Sequence, residues 1–183
     1  IGDDIEPGDV VLRAGTVPTP GGVALLRTVG RDRVAVHRTP VVGVLSTGDE
    51  LVEPPATLGP GQIYDSNRAA LVGLVAEAGA RAVDLGLVAD DEAAIEAALR
   101  HAAATCDAVV SSGGVSMGDF DYVKSVLDRV GDMRWMQIAI KPAKPFAFGT
   151  IASGGRAVPV FGLPGNPVSS MVSFELLARP ALR

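Results

Sequence analysis

From residue 41 onward, two patterns of hydrophobic and polar positions alternate along the chain. Short apolar runs at residues 41–45, 82–88 and 108–110 predict strands that are buried on both faces. Helical segments follow them, and in the first of these apolar residues such as Leu71 and Val75 recur at helical spacing. Strands that alternate with helices predict an α/β fold of three layers, with helices on both faces of a mostly parallel sheet.

The rest of this region continues the pattern. Further strands are predicted at residues 135–140, 145–151 and 158–161, and further helices around residues 95–102, around residues 123–130 and from Pro167 onward.

The first 40 residues have a different pattern, which predicts a small β-rich segment. Residues 9–17 favour a short strand with a turn at Ala14-Gly15, and the alternation at residues 33–38 favours a second strand. A weak helical pattern spans residues 20–30 between them. We therefore expect two domains, residues 1–40 and residues 41–183.

Composition and charge narrow the classes of function. Hydrophobic residues make up 48% of the 183 residues and aromatic residues only 4%, so the core must be aliphatic. A net charge of −5 and the scarcity of aromatic residues disfavour nucleic-acid binding. No apolar run approaches the roughly 20 residues that cross a bilayer, so no membrane segment is expected. No signal-peptide pattern opens the chain, and the single cysteine, Cys106, fits a cytoplasmic protein.

Ligands of such folds bind beyond the carboxyl ends of the strands, which selects the loops that could carry chemistry. In the loop at residues 111–116, the paired glycines allow several backbone N–H groups to converge on a phosphate or another oxyanion. A merely tight turn is the alternative. In the loop at residues 162–170, Asn166 fits a helix N-cap and Pro167 the first helical position. The free N–H groups of that helix would face a ligand, although an ordinary capped helix start explains the pattern too.

Charged residues fall on the same predicted edge of the sheet. Lys141 and Lys144, held by two prolines, could clamp an anion, although exposed lysines are usually solvated. The acids in these loops are Asp49, Glu50, Asp90, Asp91, Asp119 and Asp121. Oxygen ligands from separate loops suit Mg²⁺ beside phosphate oxygens. Asp90 or Asp91 could instead be only a helix cap, and Asp121 only an acid that complements the helix dipole.

Taken together, these motifs resemble the molybdopterin molybdotransferases, a family that includes the gephyrin E domain. The segments that carry the resemblance lie at residues 46–51, 61–68, 111–118, 121–122, 141–145 and 163–169. It spans roughly residues 41–183 almost without gaps, and residues 1–40 resemble the last part of the family's first domain. The resemblance implies a molybdenum-cofactor-biosynthesis fold, a homodimer whose active site is assembled between two subunits, and further domains on either side of this region.

The resemblance also implies a reaction. The family takes adenylated molybdopterin and molybdate, releases AMP with Mg²⁺ or a similar cation, and leaves molybdenum on the dithiolene. The matching catalytic candidates are Asp121, Glu50, Lys141 and Lys144, and the matching metal ligands are Asp90, Asp121 and Glu50. The matching binding residues are Ser46, Thr47, Gly48, Ser112, Gly113, Gly114, Ser116, Pro164, Asn166, Pro167 and Ser169. Two positions depart from the family pattern, since Gln137 stands where some members carry lysine and Ala143 where glycine is frequent.

Other functions stay open beside molybdate insertion. Molybdopterin adenylyltransferases use a similar domain, but they typically carry Gly-Gly-Thr-Gly where this chain has Gly113-Gly114-Val115-Ser116. A non-catalytic molybdopterin-binding scaffold and a competence-damage-type domain of the same fold are the remaining alternatives.

Overall fold

The computed structural model describes residues 4–115 and 122–182, and the chain divides into two units, Ile1–Arg38 and Thr39–Arg183. The first unit contains helix α1 (Pro20–Thr28), which lies within the predicted helical segment. Thr19 caps this helix, because its hydroxyl oxygen accepts a hydrogen bond from the backbone N–H of Gly22 at 3.2 Å.

The strands predicted in the first unit are wrong. Neither residues 9–17 nor residues 33–38 form a strand, and the described part of this unit contains no strand at all. An extended segment becomes a stable strand only when a neighbour takes up its backbone hydrogen bonds. Neither segment has such a neighbour within the described residues. The alternation of apolar and polar residues was therefore not sufficient for a strand to form.

The second unit is built around a six-stranded sheet. Its elements along the chain are β1 (Val41–Thr47), β2 (Leu51–Val52), β3 (Ile63–Tyr64), α2 (Asn67–Glu77), β4 (Arg81–Val88), α3 (Glu92–Thr105), β5 (Ala108–Ser112), α4 (Tyr122–Val130), β6 (Gly131–Gln137), β7 (Pro145–Ser153), β8 (Arg156–Leu163), α5 (Pro167–Ser173), a π-helical turn (Phe174–Ala178) and α6 (Arg179–Leu182). The order across the sheet is β4-β1-β5-β8-β7-β6. The first four strands are parallel, and β7 and β6 are antiparallel to their neighbours. Strands β2 and β3 form a separate parallel pair.

Hydrophobic clusters on the two faces of the sheet confirm the predicted three layers. Val42 and Val44 of β1 belong to the cluster that contains Leu71 of α2 and Phe174 of the π-helical turn. Leu45, the next residue along β1, belongs to the opposite cluster, which is completed by helices α3 and α4. Each fully buried aliphatic side chain stabilises the fold by about 1.5–3 kcal/mol. None of the described helices is both long and apolar enough to span a membrane.

At the carboxyl ends of the central strands, the buried positions change from apolar to polar. Ser46 follows Val42 and Val44 on one face of β1, and Ser112 follows Val110 on the same face of β5; all five are buried. Buried hydroxyl groups require hydrogen-bond partners. Asp65, just before α2, accepts a hydrogen bond from Ser46, and Asn67, the first residue of α2, donates one to Ser112. This edge of the sheet is therefore a polar layer above an aliphatic core.

Strand β6 differs in its bounds from the prediction at residues 135–140. It begins at Gly131, opposite Ile151, and ends at Gln137, opposite Pro145. The next residue, Ile138, donates its backbone N–H to the carbonyl of Lys144 at 2.7 Å as the chain turns back. The register with β7 sets these bounds, and a local apolar pattern contains no information about that register.

Gly149 in β7 provides a test of how tightly the antiparallel strands approach each other. A Cβ at this position would lie 2.2 Å from the carbonyl oxygen of Asp132 and 2.8 Å from the Cα of Met133. We expect Gly149→Ala to lower the free energy of unfolding by about 1–3 kcal/mol, because the backbone of β6 must shift. Urea denaturation measures the change.

Gly73 in α2 is the matched control, because a Cβ there meets no atom within 4 Å. Gly73→Ala should raise the free energy of unfolding by up to about 1 kcal/mol through helix propensity. If Gly149→Ala leaves the free energy of unfolding unchanged or raises it, as Gly73→Ala is expected to do, the close approach at Gly149 is contradicted.

Candidate functional site

A pocket of about 310 Å³ opens at the carboxyl edge of the sheet. It is lined by Thr47, Gly48, Glu50, Asp90, Gly113, Gly114, Val115, Tyr122, Val123, Pro145, Pro164 and Gly165. These residues come from the loops after β1, β4, β5 and β8 and from the starts of α4 and β7. Seven of the predicted site residues are therefore brought together, namely Thr47, Gly48, Glu50, Asp90, Gly113, Gly114 and Pro164.

The glycine loop, Gly113-Gly114, follows β5 and forms one wall of the pocket. Both residues have left-handed backbones, with φ of +91° and +69°, which glycine adopts without strain. A Cβ on Gly113 would lie 2.8 Å from the carbonyl oxygen of Thr47, and one on Gly114 would lie 2.3 Å from a methyl group of Val123. The backbone N–H of Gly113 donates to the carbonyl of Leu163 at 3.1 Å, so it is committed to β8. The absence of side chains thus lets β1, β8 and α4 close around this loop.

Glu50 and Asp90 bring two carboxylates to the pocket. Gly48 makes room for Glu50, because a Cβ on Gly48 would lie 2.6 Å from Glu50 Oε2. Asp90 is held by a reciprocal pair of hydrogen bonds with Asp49. The N–H of Asp49 donates to Asp90 Oδ2 at 3.2 Å, and the N–H of Asp90 donates to Asp49 Oδ1 at 3.1 Å. The carboxylate of Asp90 is therefore oriented by the backbone of a second loop.

The structure decides which of the two adjacent acids caps helix α3. Asp91 is the N-cap, and its Oδ1 accepts a hydrogen bond from the N–H of Ala94 at 2.9 Å. Asp90 lies one residue earlier and lines the pocket instead. The alternative interpretation of Asp90 as only a helix cap is wrong.

The proline turn, Pro164-Gly165, forms a second wall of the pocket, and the residues after it start α5. Asn166 is the N-cap: its Oδ1 accepts from the N–H of Ser169 at 3.1 Å and from the Ser169 hydroxyl at 3.2 Å. Pro167 occupies the first turn, as predicted. Asn166, Pro167 and Ser169 are not among the lining residues, so their observed contacts stabilise the helix start behind the turn.

Lys141 and Lys144 are both exposed, on the turn that joins β6 to β7. Because β7 runs antiparallel to β8, this turn reaches the same edge of the sheet as the proline turn. Pro145, directly after Lys144, lines the pocket, whereas neither lysine does. Ala143 between them has a φ of +80°, a backbone conformation that favours glycine.

Some predicted residues lie elsewhere. Ser46 and Ser112 are buried just beneath the pocket in the polar layer of the sheet. Ser116, Asp119 and Asp121 lie outside the described residues, so the roles predicted for Ser116 and Asp121 stay predictions. Within residues 4–115 and 122–182, no three His, Cys, Asp or Glu side chains are grouped as they would be around a metal ion.

Arg68, near the start of α2, was not singled out from the sequence as a site residue. Its Nε donates to Asp65 Oδ2 at 2.9 Å, and its two terminal nitrogens form ion pairs with Asp84 of β4 and Glu53 of the loop after β2. Asp65 in turn accepts a hydrogen bond from the hydroxyl of Ser46 at 3.2 Å. The guanidinium of Arg68 thus links the start of α2 to β4 and to the loop after β2. The signal available in the sequence was Asp65, an acid three residues before the arginine, which indicates a local ion pair.

These contacts shift the pKa values of Arg68 and Asp84. For Asp84, desolvation is the largest effect and raises the pKa, but hydrogen bonds from Arg68 and from the N–H of Gly86, with the charge of Arg68, outweigh it and lower the pKa below 3.8. For Arg68, desolvation lowers the pKa, and the hydrogen bonds and charges of Asp84 and Asp65 outweigh it and raise the pKa. Both groups are therefore held in their charged forms.

Comparisons with known proteins agree with this fold and pocket. The family model described as "Probable molybdopterin binding domain" matches residues 43–183. The chain is 46% identical to the molybdopterin molybdenumtransferase of Haemophilus influenzae, over all of this chain and 44% of that protein. It is 40% identical to molybdopterin molybdenumtransferase 1 of Mycobacterium tuberculosis, over all of this chain and 42% of that protein.

A solved structure gives the same result. A molybdopterin biosynthesis protein of Pyrococcus horikoshii superposes with a TM-score of 0.79 at 40% identity, over 98% of this chain and 44% of that one. The chain therefore belongs to the molybdopterin-binding domain family, and the resemblance seen in its motifs is confirmed. It spans less than half the length of the curated relatives that it matches.

The ion pair between Arg68 and Asp84 generates a prediction about pH. Because the pKa of Asp84 is lowered in the folded state, its ionisation adds stability above pH 3.8 that is lost as the pH falls through the folded-state pKa. Asp84→Asn should lower the free energy of unfolding at pH 7 by up to about 1 kcal/mol, since Asp84 is half exposed. The difference from the parent protein should shrink below pH 3.8, as measured by urea denaturation at several pH values.

Asp132→Asn on the edge strand β6 is the control, because it removes an exposed carboxylate for which no ion pair is seen within the described residues. It should change stability less than Asp84→Asn at pH 7. A deficit of Asp84→Asn that is the same at pH 7 and pH 3 would contradict the role of Arg68.

Proposed function

We propose that the full-length protein inserts molybdate into adenylated molybdopterin with release of AMP, in a reaction that depends on Mg²⁺. The observation that carries this proposal is that one pocket contains both carboxylates, which suit a cation, and loop backbone, which suits a phosphate or another anion. The carboxylates of Glu50 and Asp90 lie in the same 310 Å³ space as the glycine loop and the proline turn. The names of the relatives support the same reaction class.

Glu50 and Asp90 suit the proposed Mg²⁺ ion. Magnesium is usually bound through one or two carboxylates together with substrate phosphate oxygens and water. Two pocket carboxylates fit that pattern, and Asp121, which directly precedes Tyr122 in the sequence, would add a third. The ion would neutralise charge on the phosphate of the nucleotide. Asp90 needs no rearrangement to take part, because Asp49 already orients it.

The remaining pocket groups would position the substrates. The backbone of the glycine loop, with Ser116 following it, would hold the nucleotide phosphate, and the proline turn would shape the opposite wall. Lys141 and Lys144 would attract the molybdate dianion, and the position of Pro145 in the pocket lining, directly after Lys144, supports this role. Exposure keeps both side chains free to close on an anion when it arrives.

We also propose the larger assembly that the resemblance implies. Residues 1–40 would form part of a first domain, residues 41–183 the molybdopterin-binding catalytic domain, and the cytoplasmic full-length protein a homodimer. Light scattering on the full-length protein tests the dimer directly, and a monomeric mass would overturn it.

The reaction is tested by following AMP release from adenylated molybdopterin with molybdate and Mg²⁺. AMP that appears only when molybdate is present supports the proposal. Consumption of ATP with molybdopterin would replace it with molybdopterin adenylylation, and neither activity would leave a binding or scaffold role.

Within this assay, Asp90→Asn should slow AMP release by about 10–100-fold, because a neutral amide is a poorer ligand for the cation. Asp91→Asn is the matched control: it makes the same change at the next residue, and asparagine caps a helix as well as aspartate does. Asp91→Asn should release AMP at the parent rate. Equal rates for the two variants would remove Asp90 from the site, and the same comparison applies to Asp121→Asn.

The lysine turn generates a separate prediction. Lys144→Ala should raise the molybdate concentration needed for half-maximal AMP release by roughly 5–10-fold, with a smaller effect on the maximal rate, because it removes attraction to the anion. Arg100→Ala, which removes an exposed cation from α3, should leave this concentration unchanged. An unaltered molybdate dependence in Lys144→Ala would assign Lys144 to the solvated surface.

A further inference from the structure

The side chain of Asn67 bonds to both loops that form walls of the pocket, the glycine loop through Ser112 and the proline turn through Gly165. Asn67 is the first residue of α2, and its Nδ2 donates one hydrogen bond to Ser112 Oγ at 2.9 Å and another to the carbonyl oxygen of Gly165 at 2.7 Å. The partners are 45 and 98 residues away along the chain. Ser112 directly precedes the glycine loop, and Gly165 belongs to the proline turn. One amide group therefore joins both walls.

The two walls lie close together where Asn67 joins them. A Cβ added to Gly165 would reach ordinary contact distance, 3.9 Å, from the Cα of Gly113, so there is room for little more than a methyl group between the loops at this point. The N–H of Gly113 also donates to the carbonyl of Leu163, two residues before Gly165. A small displacement of either loop would consequently change the width of the pocket.

The start of α2 is fixed firmly enough to act as a reference point. Asp65 accepts hydrogen bonds from the backbone N–H of Arg68 at 3.2 Å and from its guanidinium at 2.9 Å. Arg68 then reaches Asp84 of β4, and Asp65 is bonded to Ser46 of β1. Asn67 lies between these two anchored residues, so its amide is held in place by contacts that do not involve the pocket loops.

We propose that Asn67 is a positioning residue of the pocket. Its two N–H groups set the separation between the glycine loop and the proline turn, and this separation determines how tightly the nucleotide phosphate is bound. The statement about loop geometry stands on the contacts alone, whereas the statement about the nucleotide rests on the proposed function.

The chemistry of the two acceptors shows which substitutions are diagnostic. Ser112 can turn its hydroxyl and donate to a new acceptor, but the carbonyl of Gly165 can only accept. Asn67→Asp keeps the shape of the side chain and places a carboxylate oxygen against that carbonyl. Asn67→Leu also keeps a branched shape, and it removes both donors without adding charge. Agreement between the two variants separates the loss of donors from the effect of charge.

Hydrogen exchange of the backbone amides tests the loop geometry without any ligand. We expect the protection of the Gly113 amide to fall on the order of tenfold in both Asn67 variants, because its bond to Leu163 depends on the join between the loops. The control is Ser66→Ala, which alters the exposed neighbouring residue, whose side chain makes no capping bond. It should leave Gly113 protection unchanged. Unchanged protection in both Asn67 variants would overturn the proposal.

Calorimetric titration with AMP tests the consequence for binding. Both Asn67 variants should bind AMP roughly tenfold more weakly than the parent protein, and Ser66→Ala should bind it equally well. Variants that unfold at lower temperature but bind AMP normally would show a merely structural role and overturn the proposal. If the parent protein neither binds AMP nor releases it from adenylated molybdopterin, the proposed function fails, while the exchange result still decides the role of Asn67 in the loops.

Discussion

The ion pairs of Arg68 hold the start of α2 against the edge of the sheet at which the pocket opens. A guanidinium that is only 11% exposed loses most of its hydration, and this cost is offset only when several carboxylates surround it. Asp65, Asp84 and Glu53 do so from three separate segments. Since the helix, the strand and the loop must all be in place for the charge to be compensated, this one residue requires the start of α2 to lie against β1 and β4.

The pocket depends on the position that Arg68 gives to α2. Side chains hold the layer beneath the pocket, whereas backbone forms part of its wall. Beneath the pocket, Ser46, Asp65, Asn67 and Ser112 form side-chain hydrogen bonds that fix the ends of the strands. Around the pocket, the glycine loop lets backbone segments approach each other at distances that a Cβ would prevent. Backbone that is held by this polar layer therefore forms part of the pocket wall, an arrangement that suits anionic groups whose charge is spread over several oxygens.

The sequence predicted the larger unit well and the smaller one poorly, and physical reasons explain both outcomes. Short apolar runs such as residues 41–45, followed by turn residues, favour buried strands, and the loops after β1, β4, β5 and β8 meet at one edge because these parallel strands run in the same direction. The strands predicted at residues 9–17 and 33–38 were wrong, since a strand depends on a partner that local alternation does not specify. The side-chain contacts of Asn67, Arg68 and Asp90 depend on segments far apart along the chain. The sequence therefore indicated that Asp90 was near the site, but it did not show which atoms Asn67, Arg68 or Asp90 would bind.

The reciprocal bonds between Asp49 and Asp90 have a consequence for how the protein folds. The two residues are 41 positions apart, and they lie in the loops that follow β1 and β4, two strands that pair in parallel. Closing a loop of that length costs chain entropy before any contact repays it. The orientation of the Asp90 carboxylate therefore depends on contacts between segments that are distant along the chain. A chain in which β1 and β4 are not paired would lack this arrangement of the two acids.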